Sequence, residues 1–543
     1  MDLELDFEIE DGVLVRYLGD AEELVIPDCV TVIGKQAFEE INELYSVVIP
    51  NGVTEIGDYA FCHCYDLVEI EIPETVTRIG EGAFWGCHNL QKIELPPRLT
   101  VIEKETFESC TSIEYVEIPE GVEKIEDKAF EGCDMLDTVK IPAGATVCGR
   151  PFNECHSLYC IEVEEGNPYL RSIDGNLYSA DGETLILYCR DKEEDTFIVP
   201  EGVKVIGESA FDYTHALIHI AFPESLRIIS KEAFYGCAEL SGSCSYSGAV
   251  DPSELVFDGM QFPAGLEWIG ERAFANCRLV ARAVIPDGID TVARELFGNC
   301  YALGEVILPS SVKSIGESAF SCCNALRHIV LPDGIGYIGK FAFLHCDSLS
   351  EICIPQRIGL IEEGAFYQCA SLKNIIVPPV NRVRRETFQY CFGAESITLS
   401  EGTAYIDEMA FCECSGAVEV RIPASIKAIA DDAFSNCSSI ERIFISAKGA
   451  GLLPLDLQYK AGAGMVCEYA AGNLSGNARV IWTERIFADP VAWLKALDGN
   501  ALFYNFVLEC DRLSVNDAKA VLEDLTSYEC RAMLNGYIHR RSM

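Results

Sequence analysis

Apolar residues recur along this chain on a beat of 23 residues, far longer than the period of a single helix or strand. Pro27, Pro50, Pro73, Pro96, Pro119 and Pro142 stand 23 apart, as do Pro263, Pro286, Pro309, Pro332, Pro355 and Pro378. Phe38, Phe61, Phe84, Phe107 and Phe130 keep the same interval. Phe152, Phe211, Phe234, Phe274, Phe297, Phe320, Phe343, Phe366, Phe388, Phe411 and Phe434 bring the recognisable units to sixteen. The stretches "GVEKIEDKAFEGCDMLDTVKIP" from residue 121 and "SVKSIGESAFSCCNALRHIVLP" from residue 311 share their Val, Ile, Ala, Phe, Cys, Leu and Pro and little else. Locked apolar positions at such a period predict a solenoid, because one unit cannot bury its own apolar face and must stack on its neighbours.

Within a unit the pattern changes. "LVEIEIP", Leu67 to Pro73, alternates with period two, which predicts a strand with Ile70 and Ile72 inward and Glu69 and Glu71 outward. Pro73 lacks the amide that would extend the ladder, so the strand stops there. "VTRIG" predicts a second extended piece, and "EGAFWGC" a short helical or 3₁₀ turn that carries Phe84 and Cys87 inside.

The beat breaks in two places. Residues 161–199, with Asp181 and Gly182 between extended segments, predict a β-hairpin budding from the stack. Residues 238–262, rich in Ser and Gly, predict an inserted loop. At the front, residues 1–22 predict a capping hairpin that turns at Asp11 and Gly12. The repeat ends near 446, and residues 447–543 are expected to form a cap, mainly helical after about 485. Asp489 before Pro490, and Ser514 three before Asp517, mark helix starts. Trp493, Leu494, Leu497, Phe503, Phe506 and Val507 supply the apolar faces of these helices.

The units "IPEGVEKIEDKAFEGCDMLDTVKIP" and "LPSSVKSIGESAFSCCNALRHIVLP" resemble the BspA-like leucine-rich repeats, a bacterial family, over residues 23 to about 446. "FEIEDGVLVRYLGDAEELVIP" and "NPYLRSIDGNLYSADGETLILY" resemble accessory pieces of bacterial members. The resemblance implies an α/β repeat solenoid, a right-handed leucine-rich repeat coil with a parallel sheet and short helical turns, here followed by a helical carboxy-terminal region. It also implies protein interaction, with exported relatives acting as adhesins.

Charge narrows the partners. Eighty-six acidic against 41 basic residues leave a formal charge of -45, which repels phosphates and anionic lipid, so nucleic acid is not an expected partner. No window reaches the roughly 20 apolar residues of a membrane span. The acidic start, "MDLELDFEIEDGVLVRY", has neither a basic leader nor an apolar core. A cytoplasmic protein is expected, the alternative being a surface adhesin whose leader is missing or unconventional.

Fourteen of the 26 cysteines fall three residues after a repeat Phe, which predicts a buried file of reduced thiols rather than a disulfide framework. Cys62, His63 and Cys64, Cys412 and Cys414, and the adjacent Cys322 and Cys323 lack the paired spacing of a zinc site. No GxxxxGK[ST], HExxH, GxSxG or Rossmann glycine pattern occurs. No catalytic residue, metal ligand or cofactor is expected; an enzyme or metal protein using the insert and the thiols is the least favoured reading.

The outward strand column carries more information. Two residues before each Pro stand Glu71, Glu94, Glu117 and Lys140 early in the chain, then Val284, Ile307, Val330, Cys353 and Ile376. A charged face gives way to an apolar strip, rimmed by Glu305, Arg327, His328, Glu351 and Lys373. Such a strip on a solvent-facing sheet predicts a docking surface for a protein or peptide.

Overall fold

The alternation in Leu67–Pro73 becomes the three-residue strand Glu69–Glu71, with Ile70 buried between two exposed glutamates. In this computed structural model, which describes residues 6–192, 194–248, 251–446 and 448–542, each repeat forms one coil of that kind. The chain divides into two units, Met1–Phe257 with Gly265–Cys277, and Asp258–Ala264 with Arg278–Met543.

In the first unit, Glu23–Val25, Ser46–Val48 and Glu69–Glu71 pair in parallel without slippage, as do Tyr115–Glu117, Thr138–Ile141 and Cys160–Val163. A second file of two-residue strands, Val32–Ile33, Glu55–Ile56 and Arg78–Ile79, carries the "VTRIG" segment. Phe7–Glu10 and Val13–Tyr17 form an antiparallel hairpin whose second strand pairs with Val32–Ile33. Tyr17 lies 5.4 Å from Phe38 and Phe7 lies 5.2 Å from Tyr17, so the hairpin closes the end of the aromatic column.

The predicted short turn is a run of single turns of the 3₁₀ hydrogen-bond type. Ala60 N donates to Gly57 O, Cys62 N to Tyr59 O and Cys64 N to Phe61 O. The alternate amides reach the next coil: Tyr59 N to Glu81 O, Phe61 N to Ala83 O and His63 N to Trp85 O. Sharing donors in this way satisfies the buried backbone on both sides of the ring. It requires a left-handed residue two before and two after the Phe, here Tyr59 at φ 56° and His63 at φ 59°. One coil on, Gly82 and Gly86 take these places. A Cβ on Gly82 would lie 2.4 Å from the Tyr59 ring, and one on Gly364 would lie 2.1 Å from Phe341, so an aromatic residue on one coil lies flat on the glycine that follows 23 residues later.

The repeat phenylalanines are buried and stacked face to face, with Phe38, Phe61, Phe84, Phe107 and Phe130 separated by 4.7 to 5.4 Å. Each buried ring contributes about 1.5–3 kcal/mol by area, and each offset pair about 0.5–1.5 kcal/mol more.

The insertion at 161–199 does not bud from the stack. Leu170–Ile173, Asn176–Ser179 and Thr184–Leu187 form an antiparallel meander, and its last strand pairs in parallel with Val205–Ile206. Leu177, Tyr178, Leu185 and Tyr188 are buried, so the meander is spliced into the second strand file and shares its core. At this splice Arg190 and Asp212 form an ion pair that is almost wholly buried. Desolvation pushes the Asp212 carboxyl above the usual carboxylate range although Arg190 faces it, as expected where burying charge costs more than pairing recovers. The second insertion is shorter than expected, because Gly242–Tyr246 is itself a strand paired with His219–Pro223.

In the second unit, Arg282–Val284 pairs with Glu305–Ile307, His328–Val330 with Glu351–Cys353, and Asn374–Val377, Ser396–Leu399, Glu419–Arg421 and Arg442–Phe444 follow as one parallel sheet. Six α-helices occur among the described residues: α1 Leu455–Ala470, α2 Gly476–Ala488, α3 Pro490–Ala496, α4 Ala501–Glu509, α5 Val515–Leu522 and α6 Tyr528–Ser542. Helix therefore begins some thirty residues before the expected position near 485. The reason is packing: a Cβ on Gly464 of α1 would lie 2.3 Å from the Ile443 carbonyl, so α1 meets the last strand backbone to backbone. Small residues replace the apolar stripe that pattern reading looks for. Asp489 caps α3 by accepting from Ala492 N, and Ser514 caps α5 by accepting from Asp517 N. Trp493, Leu494, Leu497, Phe503, Phe506 and Val507 are all buried.

Candidate functional site

The strand that puts Ile70 inward puts the residue two before each Pro outward, and this column forms the candidate site. In the first unit it presents Glu71, Glu94, Glu117 and Lys140, all exposed. Lys92 pairs with Glu94 at 2.5 Å and Lys140 with Glu164 at 2.7 Å, which leaves an ionic surface around the exposed Tyr115.

The second unit presents the apolar strip. Val284 is half-buried, Ile307 is 41% exposed, Val330 72%, Ile376 55%, and Cys353 is exposed. The parallel register sets Val284 beside Ile307 and Val330 beside Cys353. Beyond Ile376 the column turns polar, through Thr398 and Arg421, which closes the strip on that side. None of the six helices covers it: α1 lies against Ile443, and Ile307, Val330 and Ile376 remain open.

The rim residues Glu305, Arg327, His328, Glu351 and Lys373 are all exposed. Glu305 is engaged by Arg282, whose Nε lies 2.9 Å from Glu305 Oε2, and Lys373 lies 3.3 Å from Glu395. Sequence reading missed Arg282, which occupies the strand position of Glu305 one coil earlier and pairs also with Asp258 at 3.1 Å. Along the strip the rim carries both signs: Arg282, Glu305, His328 and Glu351 share one register column, and Arg327 and Lys373 each stand one residue before it.

The thiol file is interior structure with its own hydrogen bonds. Cys64, Cys87 and Cys110 each donate through Sγ, at 3.1 Å, to the carbonyl of the Phe 26 residues earlier, and Cys346 and Cys369 do so at 3.2 and 3.3 Å. A thiol therefore fills a small buried site and satisfies a second lone pair of a carbonyl that also closes a backbone turn. Burial pushes the thiols of Cys64, Cys155 and Cys237 up to about 12. None of the 26 cysteines is joined in a disulfide among the described residues. Among the described residues no group of three or more His, Cys, Asp or Glu side chains is arranged to hold a metal ion. Of the "CHC" run, Cys64 faces the core, and His63 packs against Trp85 at 5.1 Å and Tyr65 at 5.5 Å. Alkylation of the native protein at neutral pH is expected to label Cys29 and Cys353 fast, the part-exposed Cys148, Cys160, Cys322, Cys467 and Cys510 slowly, and the buried file not at all; the same reagent in denaturant labels all 26. Mass spectrometry reads the difference, and labelling of Cys110 or Cys346 in the native state would contradict the buried file.

The profile of the BspA type Leucine rich repeat region (6 copies) matches residues 16–136, 188–248, 267–392 and 381–450, more than half of the chain. No curated protein matches the sequence. Among solved structures, a leucine-rich repeat protein from Eubacterium ventriosum is similar at 22% identity over 66% of this chain and 88% of that one, with a TM-score of 0.49. A leucine rich cell surface protein from Faecalibacterium prausnitzii shares 23% identity over 80% and 90% of the two chains, with a TM-score of 0.36. A leucine-rich repeat protein from Bacteroides ovatus shares 22% over 80% and 88%, with a TM-score of 0.40. Among the described residues, no helix is long and apolar enough to cross a membrane.

Proposed function

Because the chain belongs to the BspA-type leucine-rich repeat family, we propose that it is a non-catalytic interaction scaffold whose second unit binds a protein partner along the strip from Val284 to Ile376. The observation that carries this reading is the open apolar column itself, Ile307, Val330 and Ile376, flanked by rim charges of both signs. Large apolar side chains exposed in one file across several coils are costly to leave in water and mark an interaction surface.

The spacing of the file indicates the kind of partner. Adjacent parallel strands are about 4.8 Å apart. A partner helix lying along the file offers one apolar side chain per turn, about every 5.4 Å. An extended segment offers one per face only about every 6.8 Å and loses register within three coils. The proposed ligand is therefore an amphipathic helix with an apolar stripe and charges complementary to Arg282, Glu305, Arg327, Glu351 and Lys373. His328 and Cys353 line the same path.

The test is capture by the full chain compared with the Ile307→Asp, Ile376→Asp double variant. Both positions are exposed, so circular dichroism is expected to be unchanged, while affinity for the captured partner falls at least about 100-fold, the loss expected from two central hot spots. Undiminished capture would refute this face. An internal scaffold and a surface adhesin would use the same strip, and cell fractionation separates the two.

A further inference from the structure

In a regular coil the residue two before the Pro is open to water, yet in one region of the first unit this column is closed. Ile198, Ala221 and Cys244 sit side by side in the parallel register of Thr196–Ile198, His219–Pro223 and Gly242–Tyr246. Ala221 is 0% exposed and Cys244 7%. They belong to a small apolar cluster separate from the core, formed with Tyr246 and covered by Leu255 and Phe257. The Phe257 ring stacks on the His219 imidazole at 4.3 Å. Val256, between the two covering residues, points to water and is 75% exposed. The segment 251–257 thus lays an aliphatic and an aromatic side chain, two residues apart, into a seat of small outward residues.

The attachment is light. The backbone hydrogen bonds of residues 251–257 are local, Glu254 N to Asp251 O and Leu255 N to Pro252 O, and among the described residues none joins this segment to the sheet beneath. The neighbouring Gly248 N donates to Glu201 Oε1 at 2.7 Å, and Tyr246 Oη donates to Val199 O. Among the described residues, side-chain packing holds the segment over the seat, and such elements open at far lower free energy than laddered strands. The seat would be an exposed apolar patch in its absence, where other coils of the unit place Glu71, Glu94 and Glu117.

From this we infer that residues 251–257 form a displaceable strap over a docking seat made by Ile198, Ala221 and Cys244, and that a partner bearing an aliphatic-x-aromatic segment takes the strap's place. The strap itself demonstrates the fit. This surface lies in the first unit, and the inference stands or falls independently of the strip in the second.

The experiment uses the full chain and a dye-labelled peptide with the strap's own sequence, DPSELVFD, residues 251–258. Fluorescence anisotropy compares the native chain with a Leu255→Ser, Phe257→Ser variant and with a variant in which 251–257 are replaced by a Gly-Ser segment. An occupied seat lowers apparent affinity by the fraction open, so at least one unlatched variant is expected to bind the peptide about tenfold or more tighter than the native chain. A peptide with Ser in place of Leu and Phe is expected not to bind, and Ala221→Lys in the unlatched background is expected to abolish binding. No binding by folded unlatched variants, or equal binding by all forms, overturns the proposal. Amide exchange on the native chain guards against variants that fail to fold: residues 253–257 are expected to exchange well before residues 220–222, and equal protection of the two segments also overturns it.

Discussion

Raising the pH to about 10 is expected to unfold the first unit. Cys64, Cys87, Cys110, Cys133 and Cys155 form one buried file, Cys237 is buried beyond the meander and the coil where Thr214 takes the thiol position, and burial pushes each thiol well above its solution value, in the cases of Cys64, Cys155 and Cys237 to about 12. A thiol released by unfolding ionises near pH 8.5. The sign follows: at neutral pH both states hold the proton and nothing is lost, whereas above about 8.5 only the unfolded chain gives it up, so stability falls as pH rises toward the folded value. At pH 10 each thiol costs about 2 kcal/mol. Six together approach 12 kcal/mol, comparable with the ~5–15 kcal/mol by which a domain is stable at all. Circular dichroism against pH is expected to show a steep, cooperative transition. A variant with Cys87→Ala, Cys110→Ala and Cys133→Ala should be weaker at pH 7 and yet unfold over a broader range, shifted upward. An alkaline midpoint indifferent to the number of buried thiols would refute the account.

The other large effect belongs to the aromatic column. Phe320 is fully buried, stacked 6.1 Å from Phe297 and 5.4 Å from Phe343. Phe320→Ala is expected to cost about 3–5 kcal/mol, because the void opens between two coils whose backbones are tied by hydrogen bonds and cannot close on it. In a stacked array the loss falls on both neighbouring interfaces, so the second unit should show a lowered urea midpoint or a separate early transition. Tyr301→Ala, at a 45% exposed position nearby, is expected to change stability by no more than about 0.5 kcal/mol. Equal effects of the two substitutions would mean that Phe320 is not in a shared interior.

Much of this architecture could be read from residue spacing. Pro73, Phe84 and Cys87 mark strand end, core ring and thiol because each position accepts few residue types: a ladder ends where the amide is missing, and among the inward side chains of a coil one site takes a large flat ring and another a small side chain. The outward strip of Ile307, Val330 and Ile376 was legible for the converse reason, since a strand's inward residues locate its outward ones. The helix starts at Pro490 and Ser514 were legible because caps are local chemistry. α1 was not: its Gly464 suits close approach to the Ile443 backbone and its Gly462 makes room for the Trp493 ring, and those preferences show only when Ile443 and Trp493 are in place.

The turn backbone was hidden for a related reason. Tyr59, His63, Cys322 and Phe341 hold left-handed conformations that their residue types do not favour, and bonds such as those of Tyr59 and His63 to the next coil's carbonyls hold the backbone there. The pairing of an aromatic residue with a glycine 23 positions on was present in the sequence, but only stacking gives it meaning.

The sequence by itself determined the repeat, its inward and outward faces, the thiol file and the acidic charge, because these depend on the identity and spacing of residues within one coil. Tertiary structure alone decided that the 161–199 meander joins the strand file, that α1 seals the last strand, and that one part of the outward face is covered while another is open. Those outcomes depend on which surfaces meet across long stretches of chain, and a pattern confined to 23 residues carries no information about its distant neighbours.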